Sequence, residues 1–396
     1  MAPNTTSAAQ VTSPPEAPAG EPSGSGPLTQ WALIGAMIRP VERATVAVYE
    51  ERAREWRDRR PARFLDRARA LARAVPKSGV RADLGCGAGL HLGVLGRPVL
   101  ALDAAEPMLR LAREAAPHAW CVRADLEHLP VRAGTLGGAW ARASYLHVPA
   151  VRLPHSLREL HVATRVGAPV AMTMLAGDGE GPWPDDDFPG RFFALWQPER
   201  LRDLLVGAGF DVQECALDPD SHWIGVRMNR ARTLPDTVGP GMRLLVCGLN
   251  PSLYAADRGV GFARPGNRFW PAALAAGIVS ADRDPARALG VDGVGMTDLV
   301  KRATVGAAEL TVDEYRAGAD RVRRLVEWLQ PGAVCFVGLA GWRAAIDRKA
   351  VAGVQAEGFG GRPAYLMPNP SGLNAHATPA ILADHLRAAA ALASLR

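Results

Sequence analysis

The feature that most constrains this chain is an alternation of short apolar runs with longer helical stretches, which stops once and then starts again. Residues 80–84, 98–103, 120–125, 136–142 and 169–175 are apolar runs of strand length, and residues 107–116, 151–166 and 198–207 have helical patterns. Such strand–helix alternation predicts a parallel sheet covered by helices. Residues 233–242, Thr-Leu-Pro-Asp-Thr-Val-Gly-Pro-Gly-Met, then interrupt the pattern. Beyond them come strand-like runs at 243–249, 294–300, 333–339 and 364–367, with helical patterns at 267–276, 314–330 and 379–395. Within 314–330, Ala319, Val322, Leu325, Val326 and Leu329 recur at the i, i+3, i+4 spacing of a buried stripe. The expected architecture is α/β: two αβα three-layer domains with mainly parallel sheets, at 28–232 and 233–396. A length of 396 residues fits two domains at roughly 100–200 residues each.

Residues 1–27 hold six Pro, three Gly, four Ser, three Thr, no aromatic residue and two charges, Glu16 and Glu21. Such a segment buries too little apolar area to offset its chain entropy, so a disordered tail is expected there. Residues 45–74 read as helical and divide at Pro61, because proline within a helix removes a donor and clashes with the preceding turn. No run of 18 apolar residues exists and no basic-then-apolar leader opens the chain. Cys86, Cys121, Cys215, Cys247 and Cys335 are scattered without a Cys-x-x-Cys pair. The expectation is a cytoplasmic monomer with no metal site and no membrane contact, nucleoid-associated when it binds DNA. The net charge of +6 divides as 28 Lys/Arg against 26 Asp/Glu before residue 233 and 18 against 14 after it, which permits a polyanion partner without demanding one.

Two groups of residues carry chemistry. In the first, Asp83-Leu84-Gly85-Cys86-Gly87-Ala88-Gly89 follows a strand and opens a helix. Glycines at alternate positions let the backbone turn sharply and approach a ligand that a Cβ would exclude. Asp103 ends the next strand, where a carboxylate can accept from a ribose diol, and Asp125-Leu126 ends the third, where an acid and an adjacent amide can read an adenine edge. The spacing Gly-x-Gly-x-Gly, with two acids on the following strands, resembles class I S-adenosylmethionine-dependent methyltransferases over residues 40–230. That resemblance implies S-adenosylmethionine as cofactor, held by Asp83, Gly85, Gly87, Gly89, Asp103, Asp125 and Leu126. The methyl acceptor is open. The fourth strand continues Ala143-Ser144-Tyr145-Leu146-His147, without the Asn/Asp-Pro-Pro-Tyr/Phe run of DNA amino-methyltransferases or the Pro-Cys of cytosine-C5 enzymes. His147 and Tyr145 are either acid/base groups or packed strand-end residues.

In the second group, Gly248-Leu249-Asn250-Pro251-Ser252 follows one strand, and Pro368-Asn369-Pro370-Ser371-Gly372-Leu373-Asn374-Ala375-His376 follows the last. Phe262-Ala263-Arg264-Pro265-Gly266-Asn267-Arg268-Phe269-Trp270 and Thr297-Asp298-Leu299-Val300, with Arg302 and Thr304, lie between them. Residues 233–396 resemble the mismatch-specific uracil/thymine-DNA glycosylases (Mug-type) of the uracil-DNA glycosylase superfamily. That resemblance implies hydrolysis of the glycosidic bond of uracil or thymine mispaired with guanine in double-stranded DNA, without a cofactor. It places Asn250 as the residue that positions water and Leu249 and Phe262 at the base pocket. Asn369, Ser371, Gly372 and Leu373 form the DNA loop, with Leu373 as wedge. An amide is no strong base, so such a reaction leans on electrostatic stabilisation of the oxocarbenium and the departing base. Arg264 and Arg268 can touch phosphate or stand solvated, and Phe269 and Trp270 are expected in the core. Asn374-Ala375 replaces the Ser-Arg of other members, which leaves open how the opposite guanine is held. The alternatives are a working methyltransferase whose C-terminal domain only binds DNA or lesions, and a non-catalytic tether to damaged DNA.

Overall fold

The computed structural model describes residues 40–184, 186–219, 221–372, 374 and 376–394. The expected tail at 1–27 and the expected wedge, Leu373, lie outside them. Three helices come first, α1 (Pro40–Glu51), α2 (Ala53–Arg59) and α3 (Leu65–Ala74), and the break between the last two contains Pro61, as the sequence predicts. Next come β1 (Val80–Leu84), α4 (Leu92–Leu95), β2 (Val99–Asp103), α5 (Glu106–Ala115), β3 (Trp120–Arg123), β4 (Leu136–Arg142), α6 (Leu153–Ala163) and β5 (Pro169–Ala176). The first half closes with β6 (Glu180–Pro182), β7 (Phe192–Trp196), α7 (Pro198–Gly207), β8 (Phe210–Leu217) and β9 (Trp223–Arg230).

These strands form one nine-stranded sheet, in which β3-β2-β1-β4-β5 lie side by side and parallel. The hairpin β8–β9 is antiparallel to β5, and the β6–β7 pair continues from the end of β5. Alternate residues face opposite layers, as the period of a strand requires. Ala139 and Ala141 pack with Leu157, Leu160 and Leu201 on one face, while Trp140 packs with Leu71, Leu92 and Leu109 on the other.

Residues 231–243 lead to the second sheet. Its elements are β10 (Leu244–Gly248), α8 (Leu253–Arg258), α9 (Phe269–Ala275), α10 (Pro285–Gly290), β11 (Val294–Asp298), α11 (Val312–Leu329), β12 (Ala333–Val337), α12 (Leu339–Ala345), β13 (Gly353–Phe359), β14 (Arg362–Met367) and α13 (Pro379–Ala391). The order is β11-β10-β12-β14-β13, parallel except for β13. Leu244 and Val246 pack on Phe269, Trp270, Leu382 and Leu386, while Leu245 and Cys247 face the layer holding Val322 and Val326. Two αβα stacks result, the fold class expected. Helix α11 starts two residues before the predicted stretch because Thr311 and Glu314 form a capping box: the Glu314 amide donates to Thr311 Oγ1 (3.2 Å) and the Thr311 amide to Glu314 Oε2 (2.9 Å).

The stacks share an apolar cluster that includes Leu204, Leu205 and Phe210 with Val238, Met242, Val322 and Val326. Beside it lies a buried charge cluster. Asp236 Oδ1 accepts from Lys301 Nζ (2.8 Å) and Thr297 Oγ1 (2.7 Å), and Oδ2 from Arg321 Nη1 (2.8 Å). The Asp236 amide donates to the Gly207 carbonyl at the end of α7 (2.8 Å). Among the described residues no helix is long and apolar enough to cross a membrane.

Candidate functional sites

The carboxyl ends of β1 to β4 open on a cavity of about 680 Å³, which lies within the roughly 300–1,000 Å³ range of ligand pockets. Asp83, Gly85, Gly87, Asp103, Asp125 and Leu126 all line it. Gly85 and Gly87 have φ of 72° and 52°. The Gly87 amide donates to Asp103 Oδ2 (2.8 Å) and the Ala105 amide to Oδ1 (2.9 Å), so the glycine turn is latched to the second strand's acid. Burial pushes the Asp103 carboxyl up, against the opposing pull of those amides. Asp125 Oδ1 accepts from the Glu127 amide (2.9 Å), which fixes the turn after β3.

Gly89 departs from expectation. It does not line the cavity; a Cβ there would come within 2.9 Å of Ala112 Cα, so its role is to let α5 pack closely.

Four buried polar atoms on this cavity have no hydrogen-bond partner among the described residues: Trp56 Nε1, Asp83 Oδ2, Arg142 Nε and Ser144 Oγ. Buried polar groups are normally paired, so these mark a place built for a polar ligand. Asp83 is only 2% exposed, and burial, reinforced by the Asp103 charge, pushes its carboxyl up to about 8. At neutral pH it is protonated, and a cation set beside it would restore its charge. Helices α1 and α2 roof the glycine turn: a Cβ on Gly87 would lie 3.2 Å from Trp56 Cη2.

The two acid/base candidates separate. Tyr145 is fully buried and does not line the cavity. His147 does, but both its nitrogens are engaged: Nδ1 lies 2.6 Å from the Phe192 carbonyl and Nε2 2.9 Å from Tyr49 Oη. A carbonyl only accepts, so Nδ1 carries the hydrogen and Nε2 accepts from the tyrosine. Burial pushes the imidazole down to about 4, and it stays neutral. Arg191 Nη1 donates to Tyr49 Oη (2.9 Å) and its guanidinium is paired with Asp186. Sequence reasoning missed this Asp186–Arg191–Tyr49–His147 chain, because its members are spread over 98 positions between Tyr49 and His147 alone.

In the second sheet the named motifs share one edge, the carboxyl ends of β10, β11, β12 and β14. The Asn250 side-chain amide donates to Thr304 Oγ1 (2.8 Å) and to the carbonyls of Arg302 (3.0 Å) and Pro251 (3.2 Å). Its NH₂ is thereby fully used, and Oδ1 is left to accept. Thr304 is 3% exposed and anchors this arrangement. Across the edge, a Cβ on Gly338 would lie 3.7 Å from Asn369 Cβ. The Ser371 amide donates to Asn369 Oδ1 (2.9 Å), and the Asn374 amide group to the Asn369 carbonyl (3.0 Å). A Cβ on Gly372 would come within 2.8 Å of the Gly266 carbonyl, so this loop touches the 262–270 segment.

Phe262 (φ 58°) stacks on Phe269 with centroids 4.2 Å apart and reaches over Gly248, where an ideal Cβ would lie 3.4 Å from its ring. Leu249, expected beside it, instead turns its side chain to α12: a Cβ on Gly341 would lie 2.6 Å from Leu249 Cδ1. The residue that meets Phe262 over Gly248 is Asp298, the register partner of Gly248 on β11. Burial pushes its carboxyl up to about 6. Its place at the end of a parallel strand was the signal in the sequence. Arg268 is half-buried. It donates to the carbonyls of Asn374 (2.9 Å), Ala377 (2.8 Å) and Gly372 (3.3 Å) and clamps the last loop. Phe269 and Trp270 are core residues, as expected.

Fold and sites thus define a Rossmann-like domain with a cofactor-sized cavity, followed by a second αβα domain with a polar edge. Residues 82–172 match the family model "Methyltransferase domain", and residues 235–392 match "Uracil DNA glycosylase superfamily". The chain therefore carries a methyltransferase domain and a uracil-DNA-glycosylase-superfamily domain. Similar solved structures include an S-adenosylmethionine-dependent methyltransferase from Methanosarcina mazei (15% identity, 41% of this chain and 97% of that one, TM-score 0.36). Others are such an enzyme from Thermotoga maritima (14%, 47% and 99%, 0.37) and the CcbJ methyltransferase from Streptomyces caelestis (16%, 46% and 98%, 0.39).

Proposed function

We propose that the chain is a DNA glycosylase that releases uracil or thymine mispaired with guanine, fused near residue 232 to an S-adenosylmethionine-dependent methyltransferase. The observation that carries the glycosylase reading is the Asn250 amide. Three donor contacts fix its NH₂ against Arg302, Thr304 and Pro251, which leaves Oδ1 to hold a water by accepting its hydrogen. Phe262 offers a ring for an everted pyrimidine. The loop of Asn369, Ser371 and Gly372 is the proposed phosphate contact, and Leu373 is the proposed wedge. Everting a nucleotide costs a few kcal/mol, least for a mispair, which favours mismatched duplex as substrate.

The test is incubation of the full chain with labelled duplexes carrying U·G, T·G or U·A, followed by alkali to cut abasic sites. Release from U·G is expected, and Asn250→Ala should lower it about 100-fold, since a misplaced nucleophile costs that much. Retained release in that variant would remove Asn250 from the reaction.

The orphaned atoms of the first cavity support the methyltransferase reading. Asp103 would accept from the ribose diol, Asp125 and Leu126 would read the adenine, and Asp83 with Gly85 and Gly87 would meet the methionine end. Bound there, the cofactor supplies an electrophilic methyl group. Binding of S-adenosylmethionine measured by calorimetry, and its loss in Asp103→Ala, tests this half.

A further inference from the structure

The cavity of the first sheet has a region that the cofactor residues do not account for. Asp83, Asp103 and Asp125 stand at or just beyond the ends of β1, β2 and β3. Arg142 and Ser144 stand at the end of β4, on the other side of β1, toward β5 and β9. The Arg142 guanidinium sits 5.4 Å from the centroid of Phe64 and 5.6 Å from that of Trp223. It has no hydrogen-bond or ion-pair partner among the described residues, and its Nε is buried. Arg63, on the same cavity, likewise has no ion-pair partner among them. A half-buried guanidinium left unpaired is costly, and its planar fork matches a carboxylate.

Apart from Asp83 and Asp103, which the methyltransferase reading assigns to the cofactor, the buried titratable groups of this cavity are already engaged. His147 gives Nδ1–H to a carbonyl and receives the Tyr49 hydroxyl; Tyr49 in turn receives Arg191. Asp186 is paired with Arg191 and Glu127 with Arg152. His91 Nε2 is bonded to the Arg63 carbonyl, and His222 stands exposed at the rim. A hydroxyl or thiol acceptor must lose a proton, and general bases work best with a pKa near the working pH. An amine is a cation at neutral pH and is disfavoured beside Arg142 and Arg63.

We infer that the methyl acceptor is an organic carboxylate, held by Arg142 beside Ser144 and converted to its methyl ester, an inference that rests on the methyltransferase reading. A lone pair of one carboxylate oxygen forms the new C–O bond to the methyl carbon as the C–S bond breaks. The electrons of that bond stay on sulfur, the sulfonium becomes a neutral thioether, and no proton moves.

The shared chemistry, a carboxylate on Arg142, also belongs to the methionine end of the cofactor, so the experiment separates the two sources. Cofactor binding to the full chain is first measured by calorimetry; its absence would remove the methyltransferase reading itself. With S-adenosylhomocysteine saturating, benzoate and benzamide are then titrated. Benzoate should bind at least about tenfold more tightly, the value of a charged hydrogen-bond pair. Arg142→Gln should erase that difference and leave cofactor affinity within about twofold, which also shows that the variant is folded. Equal affinity for benzoate and benzamide would overturn the inference while the methyltransferase reading stood. So would an Arg142→Gln variant that loses cofactor and keeps benzoate, since Arg142 would then serve the cofactor's own carboxylate. With tritiated methyl donor and a mixture of acids, alcohols and amines, label released as methanol by dilute alkali supports the ester, and alkali-stable label overturns it.

Discussion

Asp83 shows how a residue proposed for binding can oppose folding. Its carboxyl titrates near 8 in the folded chain, against about 3.9 in an unfolded one. Between those values the folded state holds a proton that the unfolded state has released, so this residue's contribution to stability falls as pH rises from about 4 through 8. Asp83→Asn removes that slope. The variant is expected to be more stable than the parent at pH 7.5, by about 1.4 kcal/mol for each pKa unit separating the states below that pH, and to bind S-adenosylmethionine more weakly. Urea unfolding at pH 5 and 7.5, with calorimetry of cofactor binding, checks both. In the parent, binding should release protons near pH 7, because the cofactor's ammonium favours ionised Asp83; two buffers of different ionisation enthalpy would reveal the release.

At the scale of elements, the glycine turn and the acids at the ends of β1, β2 and β3 were legible because strand-end chemistry is local in sequence. Gly89 and Leu249 were misplaced for a related reason. Motif position fixes a residue's element, while the partner it packs against, Ala112 or Gly341, comes from a distant helix. The strands β6 to β9 escaped notice because β6–β7 and β8–β9 form antiparallel pairs, which strand–helix alternation does not signal. Arg268 belongs here too, since its three carbonyl contacts tie α9's entry to the loop before α13. Arg268→Ala is therefore expected to weaken duplex binding by loosening that loop, with the salt dependence of binding unchanged. A true phosphate contact would lower the logarithmic salt slope by about one. Titrations of labelled U·G duplex at several salt concentrations distinguish the two.

At the scale of the whole molecule, the two stacks are joined by more than the chain between them. Arg324 pairs with Asp203 across α11 and α7, Arg200 lies 4.4 Å from the Trp328 ring centroid, and Trp196 meets Trp328 edge-on at 6.3 Å. The exposed ion pair contributes little. The buried Asp236 cluster is different. Burial alone would raise the Asp236 carboxyl, but Arg321 and Lys301 overcome that and hold it below its usual range. Asp236→Asn leaves two buried cations without their anion and should cost roughly 3–5 kcal/mol in urea unfolding. Because the charge cluster packs directly against Gly207 of α7, where an added Cβ would lie 2.5 Å from Asp236 Oδ2 and 2.9 Å from Arg321 Nη1, disrupting it should give the variant two transitions where the parent shows one. Acid acts on the same contact. His161, bonded to the Gly209 carbonyl, is pushed by burial down to about 3, while its unfolded value is about 6.5. As pH falls through that window the unfolded chain gains a proton that the folded one refuses, so stability declines; below about 4, protonation of Asp236 in the unfolded chain lowers it further. His161→Gln, which can still donate to the Gly209 carbonyl, should flatten the decline between pH 6.5 and 4.5, and an unaltered slope would place the acid sensitivity elsewhere in the molecule.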